Sequence, residues 1–179
     1  MKSIALKVWD PFVRVFHWTL VAFFLINFLF TEAEGALHEW LGYAVLVLIG
    51  LRIIWGIVGP TRARFSAFPP SVEASLSHLK EISRGIARPH DSHSPLGALM
   101  IYNLLVTIVL IGITGYMITV KTYVGGGWLE ELHESLANWA MISVFVHVGA
   151  VILESRRLQV NLVKSMWRGY KDGTEKEQG

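Results

Sequence analysis

The order of apolar and polar residues divides the chain into four long apolar segments joined by polar connections. The apolar segments cover residues 12–30, 37–58, 96–120 and 136–153. A helix needs about 20 apolar residues to cross the hydrocarbon core of a bilayer, and each segment is close to that length. Because the core of a soluble domain rarely repeats this length four times, the pattern predicts an all-α fold. We expect an integral membrane four-helix bundle that forms a single domain over residues 1–179.

The polar connection between the second and third segments has a helical period of its own. Over about 71–86, apolar residues recur at Val72, Leu76 and Leu79, and Lys80 falls on the polar side. This spacing predicts a short amphipathic helix. Such a helix either lies on the membrane surface or packs on the end of the bundle, and the sequence is compatible with both placements.

The segment after the fourth span, residues 154–179, is shorter and more polar than a membrane span. Its first part predicts a second interfacial helix with Trp167 and Tyr170 as anchors, because these side chains favour the boundary between lipid and water. The last residues are charged or small and predict a solvated tail.

The composition is typical of a membrane protein, and it excludes several kinds of redox centre. Hydrophobic residues make up 53% of the chain, and there is no cysteine. A chain without cysteine forms no disulfide, no iron–sulfur cluster and no thiolate zinc site. It also cannot attach a c-type haem covalently, so any redox group must be held by other side chains.

The positive charges predict how the bundle is oriented. They precede or open the first span, lie between the second and third, or follow the fourth, whereas the other two connections contain only Lys121. The clustered basic residues are Lys2, Lys7, Arg14, Arg62, Arg64, Lys80, Arg84, Arg88, Arg156, Arg157, Lys164, Arg168, Lys171 and Lys176. The positive-inside rule therefore places both termini in the cytoplasm. The opposite side carries Glu32, Glu34, Glu39, Glu130, Glu131 and Glu134.

The seven histidines fall into two groups. His78, His90 and His93 lie in the connection between the second and third spans, where we expect solvated side chains. The other four, His17, His38, His133 and His147, lie within the spans or at their ends. Ionisable residues in such positions are costly and are typically functional.

The depths of these four histidines match in pairs. Spans that alternate in direction place His17 and His147 near the inner side of the membrane, and His38 and His133 near the outer side. His133 and His147 are fourteen residues apart, so on a helix they share one face at levels separated by roughly 21 Å. The sequence therefore predicts two levels with two imidazoles each.

Two facing imidazoles at one level are typical of the axial ligands of a b-type haem. A zinc site would need more ligands, with thiolate or carboxylate among them. A proton relay through four histidines is the alternative, although it does not require matched pairs. The pairing favours two haem b groups, one held by His17 and His147 and the other by His38 and His133.

Two arginines are candidates for binding the same groups. Arg14 precedes His17 by three residues and shares its helix face. Arg52 follows His38 by fourteen residues, which places it at the inner level and pointing into the bundle. A buried arginine needs a counter-charge, and no acidic residue in the inner halves of the spans provides one. We expect a haem propionate to do so, with extension of either side chain to lipid phosphate as the alternative.

Glycines on the second and third spans allow close approach of another group. They are Gly42, Gly50, Gly56, Gly112 and Gly115. The neighbour is either a macrocycle or another helix, because membrane helices commonly pack through small residues.

Several motifs resemble the bacterial cytochrome b561 family, which includes the b-type cytochrome subunits of nickel–iron hydrogenases. They are VWDPFVRVFHW, LHEWLGY, LRIIWGIVGPTRARF, HSPLGALM, LEELHESLANW and VFVHVG. The resemblance covers nearly the whole chain. It implies a multi-pass protein of the bacterial inner membrane, with four helices, two haems and exchange of electrons with quinone.

Haem iron with two histidine ligands has no open position, so we expect electron transfer and no substrate chemistry at the iron. The main hypothesis is transfer between the quinone pool and a periplasmic redox partner, such as a c-type cytochrome or a dehydrogenase or hydrogenase subunit. The alternatives are an enzyme that oxidises superoxide and reduces ubiquinone, and a redox-silent membrane anchor. The acidic outer side favours a basic partner over the superoxide anion. Lipid and quinone are further expected partners, and nucleic acid is not.

Overall fold

A computed structural model of the protein describes residues 4–7, 9–33, 35–86, 94–120 and 127–173. Within these ranges the helices are α1 (Pro11–Phe30), α2 (Ala36–Val58), α3 (Val72–Ser83), α4 (Pro95–Thr119), α5 (Trp128–Arg157) and α6 (Leu162–Arg168). Helices α1, α2, α4 and α5 are long and apolar enough to cross a membrane. The helical membrane fold predicted from the sequence is confirmed.

Two of the long helices begin with the same N-terminal cap, a polar side chain followed by proline. The Asp10 carboxylate accepts a hydrogen bond from the Val13 backbone N–H at 3.2 Å, and Pro11 is the first residue of α1. The Ser94 hydroxyl accepts from the Gly97 N–H at 3.2 Å, and Pro95 opens α4. The capping side chain accepts a hydrogen bond from a backbone N–H that has no acceptor within the helix. Proline is favourable at the first helical position because the N–H that it lacks would have no helical acceptor there.

The long helices pack in the order α1 on α2, α2 on α4 and α4 on α5. Phe16, Val45, Ile49 and Ile108 form a buried cluster where α1, α2 and α4 meet. Helix α5 packs extensively on α4 but makes few close backbone approaches to α1 or α2 in the described part of the chain. The bundle is therefore open between α5 and the α1–α2 pair.

Helix α5 is longer than the apolar segment at 136–153 from which it was predicted. It begins at Trp128 and ends at Arg157, so His133 lies within the helix and not at its edge. Its first turn contains Glu130 and Glu131, and its last turn contains Arg156 and Arg157. These charges complement the helix dipole, so they extend the helix beyond the apolar residues.

Helix α3 packs on the bundle through a face that contains Ser75 and His78, while Lys80 on its polar side is exposed. Ser75 and His78 are buried at 3% and 4% exposure, and the Ser75 hydroxyl donates to the Pro95 carbonyl at 3.1 Å. The apolar stripe of Val72, Leu76 and Leu79 is exposed. The expectation of a solvated His78 is wrong, because its face of α3 packs on α4. His90 and His93 lie outside the described residues, as do Glu34, Arg88 and Lys121.

The two ends of the chain are paired, which the sequence did not predict. Strand β1 (Ile4–Lys7) runs antiparallel to β2 (Tyr170–Gly173), with Lys7 opposite Tyr170. The short helix α6 precedes β2 and corresponds to the predicted interfacial helix. Residues 174–179 of the predicted tail are outside the described part of the chain. We call the end of the bundle that carries this sheet and α3 the inner end, and the other the outer end.

Candidate functional site

The first pair of histidines lies toward the inner end, across the opening between α1 and α5. His17 is in the second turn of α1, and His147 is in the inner half of α5. Their ring centroids are 6.5 Å apart, with an angle of 58° between the ring planes. The structure therefore brings together the two residues that the sequence paired by depth.

The second pair lies toward the outer end, between α2 and α5. His38 is in the first turn of α2, and His133 is in the second turn of α5. Their ring centroids are 6.1 Å apart, and the ring planes are inclined at 65°. Helix α5 thus supplies one imidazole to each pair, and α1 and α2 supply the other two.

The spacing within both pairs suits one metal ion held from opposite sides. With nitrogen–metal bonds of about 2.0–2.1 Å, two coaxial imidazoles place their centroids about 6 Å apart. Among the described residues, no group of three or more His, Asp or Glu side chains is positioned to hold an ion. Each pair therefore offers two protein nitrogens and leaves the plane between them to other donors.

Threonine hydroxyls orient both histidines of the outer pair. Thr114 Oγ1 is 2.9 Å from His133 Nδ1, and Thr31 Oγ1 is 3.2 Å from His38 Nδ1. In each ring the bonded Nδ1 leaves Nε2 for a metal. Sequence reasoning missed both threonines, because Thr31 ends α1 while His38 is in α2, and no periodicity links Thr114 on α4 to His133 on α5.

In the inner pair, His17 has no such clamp from the described part of the chain. His17 Nδ1 is buried, and no described residue makes a hydrogen bond to it. The ring instead makes an edge contact with Trp18, at a centroid distance of 5.1 Å. The inner site is thus shaped by packing, whereas the outer site is shaped by hydrogen bonds.

Arg52 lies inside the bundle, as predicted. It is 4% exposed, Nη2 donates to the Ala63 carbonyl at 3.2 Å, and the guanidinium stands 4.7 Å from the centre of the Phe65 ring. Nη1 is buried and has no hydrogen-bond partner among the described residues. Asp10, the N-cap residue just before α1, is close enough to attract it electrostatically, so an acidic residue outside the spans also contributes to its surroundings.

Arg14 makes contacts with the other end of the chain. Its Nε donates to the Met166 carbonyl at 3.1 Å, and Nη2 donates to the Trp167 carbonyl. These carbonyls end α6, where a cation is favoured and where the last carbonyl groups need donors. Its predicted role in binding a propionate stays a prediction.

The glycines have different surroundings. An added Cβ at Gly56 would clash with the Phe65 ring and one at Gly112 with Leu46, so these two allow close packing of protein on protein. At Gly115 the nearest atom would be His133 Cε1 at 3.0 Å, which gives this glycine a place beside the outer pair. Gly42 and Gly50 have nothing within 4 Å and leave open space on α2.

Comparison with known families agrees with the paired histidines. The family model of the prokaryotic cytochrome b561 matches residues 8–169. The chain belongs to this family. It is therefore a bacterial membrane protein of the b-type cytochrome class, which functions in electron transfer. No curated relative and no solved structure matches the chain.

The cytochrome b561 family implies b-type haem, and the residues present fit that group. Neutral imidazoles are suitable axial ligands, and Arg52 Nη1 is a buried donor that lacks an acceptor in the described protein. The opening between α5 and the α1–α2 pair gives room for a flat macrocycle, and Gly42 and Gly50 on α2 have open space around them. The donors, the spacing and the open interior are mutually consistent.

Proposed function

We propose that this cytochrome b561 binds two haem b groups and transfers electrons across the membrane between the quinone pool and a periplasmic redox partner. The observation that carries the proposal is the presence of two facing imidazole pairs at two levels, with centroid distances of 6.5 Å and 6.1 Å. When bound, haem supplies reversible one-electron transfer at an iron whose axial positions are both filled.

The roles of the protein residues follow from their positions. His17 and His147 hold the inner iron, and His38 and His133 hold the outer iron. Arg52 supplies a buried positive charge at the inner level, where its free Nη1 suits a propionate oxygen. Arg14 is the weaker candidate, because its guanidinium already donates to two carbonyls of α6.

The two ends of the bundle differ in charge, which supports the proposed partners and orientation. Glu32, Glu131 and Glu134 are exposed at the outer end. Their charge favours docking of a basic periplasmic cytochrome, or of a dehydrogenase or hydrogenase subunit with a basic face, over capture of the superoxide anion. The basic residues at the inner end favour the cytoplasm for both termini. The pairing of β1 with β2 agrees with both ends being on one side.

Reconstitution into lipid vesicles tests the proposal. The purified chain should carry two haems and show a reduced b-type spectrum on addition of quinol. In vesicles, external quinol should then reduce a basic c-type cytochrome, and vesicles without the protein are the control. A reduced spectrum that is unaffected by added quinone would contradict the proposal and favour the redox-silent anchor. Reduction of quinone by superoxide, with no reaction with the cytochrome, would favour the enzyme.

A further inference from the structure

The hydroxyl of Thr114 is placed so that its proton and its oxygen have different partners. Oγ1 lies 2.9 Å from the Leu110 carbonyl oxygen and 3.0 Å from the Ile111 carbonyl oxygen. A hydroxyl has one proton to donate, and carbonyl oxygens only accept. The proton is therefore directed to the backbone of α4, and the oxygen is free to accept the N–H of His133 Nδ1 at 2.9 Å.

Thr31 repeats the arrangement at the other imidazole of the outer pair. Its Oγ1 lies 2.5 Å from the Asn27 carbonyl oxygen and 3.1 Å from Asn27 Oδ1, both of which are acceptors. His38 Nδ1 lies 3.2 Å from the same hydroxyl oxygen. Both outer histidines thus carry the proton on Nδ1 and present the lone pair of Nε2 to the space between the rings.

We propose that Thr114 and Thr31 are positioning residues that fix the two outer imidazoles and hold the reduction potential of the outer haem below the value it would have without them. This inference rests on the proposed function. An imidazole that donates its second N–H to an acceptor becomes a more basic metal ligand. A more basic ligand stabilises ferric iron more than ferrous iron. A hydroxyl that itself donates to a carbonyl is a better acceptor, because hydrogen bonds in a chain polarise one another.

The inner pair provides the internal reference for this effect. His17 Nδ1 is buried without a hydrogen-bond partner in the described chain, so its basicity receives no such contribution. Arg52 adds a positive charge at the same level, which also favours the reduced iron. The threonines therefore lower the reduction potential of the outer haem, and Arg52 raises that of the inner haem. The two potentials are separated, and the outer haem is the stronger reductant.

Redox titration of Thr114→Val tests the inference. Valine keeps the shape of threonine and removes the hydroxyl. The unaltered chain should titrate in two steps, and in the variant one midpoint should move upward while the other stays in place. Thr114→Ser, which restores the hydroxyl, should return the midpoint toward its original value. Thr119→Val is the matched control, because Thr119 makes the same hydroxyl bond to the carbonyl four residues earlier, at 3.1 Å from Gly115 O, without a histidine.

A variant that keeps only the outer haem shows to which haem the shifted midpoint belongs. Combined with His147→Ala, Thr114→Val should move the single remaining midpoint upward, and Thr31→Val should do the same independently. Midpoints that stay unchanged in both threonine variants, or that move equally in Thr119→Val, would overturn the inference. Loss of the outer haem in Thr114→Val with retention in Thr114→Ser supports positioning, whereas loss in both variants overturns a role for the hydroxyl. If the unaltered chain holds fewer than two haems, the proposed function itself has failed.

Discussion

The outer and inner histidine pairs have almost the same spacing but are held by different means. At the outer level, two threonine hydroxyls determine which nitrogen faces the gap. At the inner level, the His17 ring lies against Trp18, and no described residue makes a hydrogen bond to its Nδ1, while Arg52 is buried in the inner half of α2. Hydrogen bonds thus orient the outer pair, whereas no described residue makes such a bond to His17 of the inner pair.

This difference has a functional consequence because both pairs share α5. A change in the position of α5 moves His133 and His147 together, so it cannot adjust one site alone. Independent control has to come from the neighbouring helices. Thr31 on the α1 end and Thr114 on α4 serve the outer level, and Arg52 on α2 serves the inner level.

Removal of one ligand should give the largest effect and tests whether the pairs are independent. His147→Ala should lose the inner haem and keep the outer one, and His133→Ala should do the reverse, because each variant removes one of the two ligands proposed for that haem. Haem content per chain, measured by absorption of the extracted haem, should fall from two to one. His78→Gln changes a buried histidine outside both pairs and should keep two. Retention of two haems in His147→Ala or His133→Ala means that the assignment of that ligand is wrong.

Disturbing the contact between Gly169 and Arg14 should destabilise the inner haem site more than the outer one. Gly169 has a φ of +88°, and an added Cβ would lie 2.7 Å from Arg14 Nη1. Gly169→Ala should therefore cost about 1–3 kcal/mol through backbone strain and loss of the Arg14 contact. Arg14 is one turn from His17, so the inner haem should be released first on heating in detergent.

Gly85→Ala is the control for that measurement. Gly85 also has a positive φ, of +71°, but nothing lies within 4 Å of the added Cβ. It should therefore show the strain alone, and its thermal midpoint should fall less than that of Gly169→Ala. Equal thermal midpoints for the two variants would show that the Arg14 contact does not stabilise the inner haem site.

Deletion of the Arg52 charge tests whether this charge raises the reduction potential of the inner haem. Because a cation favours the more negative, reduced iron, Arg52→Gln should lower the inner midpoint and leave the outer one unchanged. A charge in a partly buried site contributes about 1–2 kcal/mol, which is on the order of 40–90 mV for one electron. Arg64→Gln is the matched control, since Arg64 also donates to a loop carbonyl, that of Gly59, at 2.6 Å. Equal shifts in the two variants would assign the effect to the loop rather than to the charge.

The smallest expected effect concerns the outer surface. The double variant Glu32→Gln/Glu131→Gln should slow electron exchange with a basic cytochrome by roughly two- to five-fold at low salt, because charge steers the encounter. The effect should fade near physiological ionic strength, where screening acts within about 8 Å. Glu73→Gln at the inner end is the control. A stopped-flow rate that does not depend on salt in the unaltered chain would point to an apolar docking surface.

The sequence predicted the features that repeat along the chain and missed those that join distant parts of it. Hydropathy located the four long helices, and helical spacing combined with alternating direction paired His17 with His147. The Thr114–His133 contact has no sequence pattern, because it depends on how α4 rotates against α5. The buried face of α3 was also missed, because periodicity shows that two faces differ but does not show which one meets the bundle.

The antiparallel pairing of β1 with β2 sets an order in which the molecule can be completed. Trp9 precedes α1 and Arg14 lies in its first turn, yet Trp9 Nε1 donates to the Ser165 hydroxyl at 3.1 Å and Arg14 donates to carbonyls of α6. All four long helices must therefore leave the ribosome before these contacts form. Until then these contacts do not hold the start of α1 to the segment that follows α5. The segment that follows α5 therefore fastens the segment that precedes α1, and the short sheet joins the two at the inner end of the bundle.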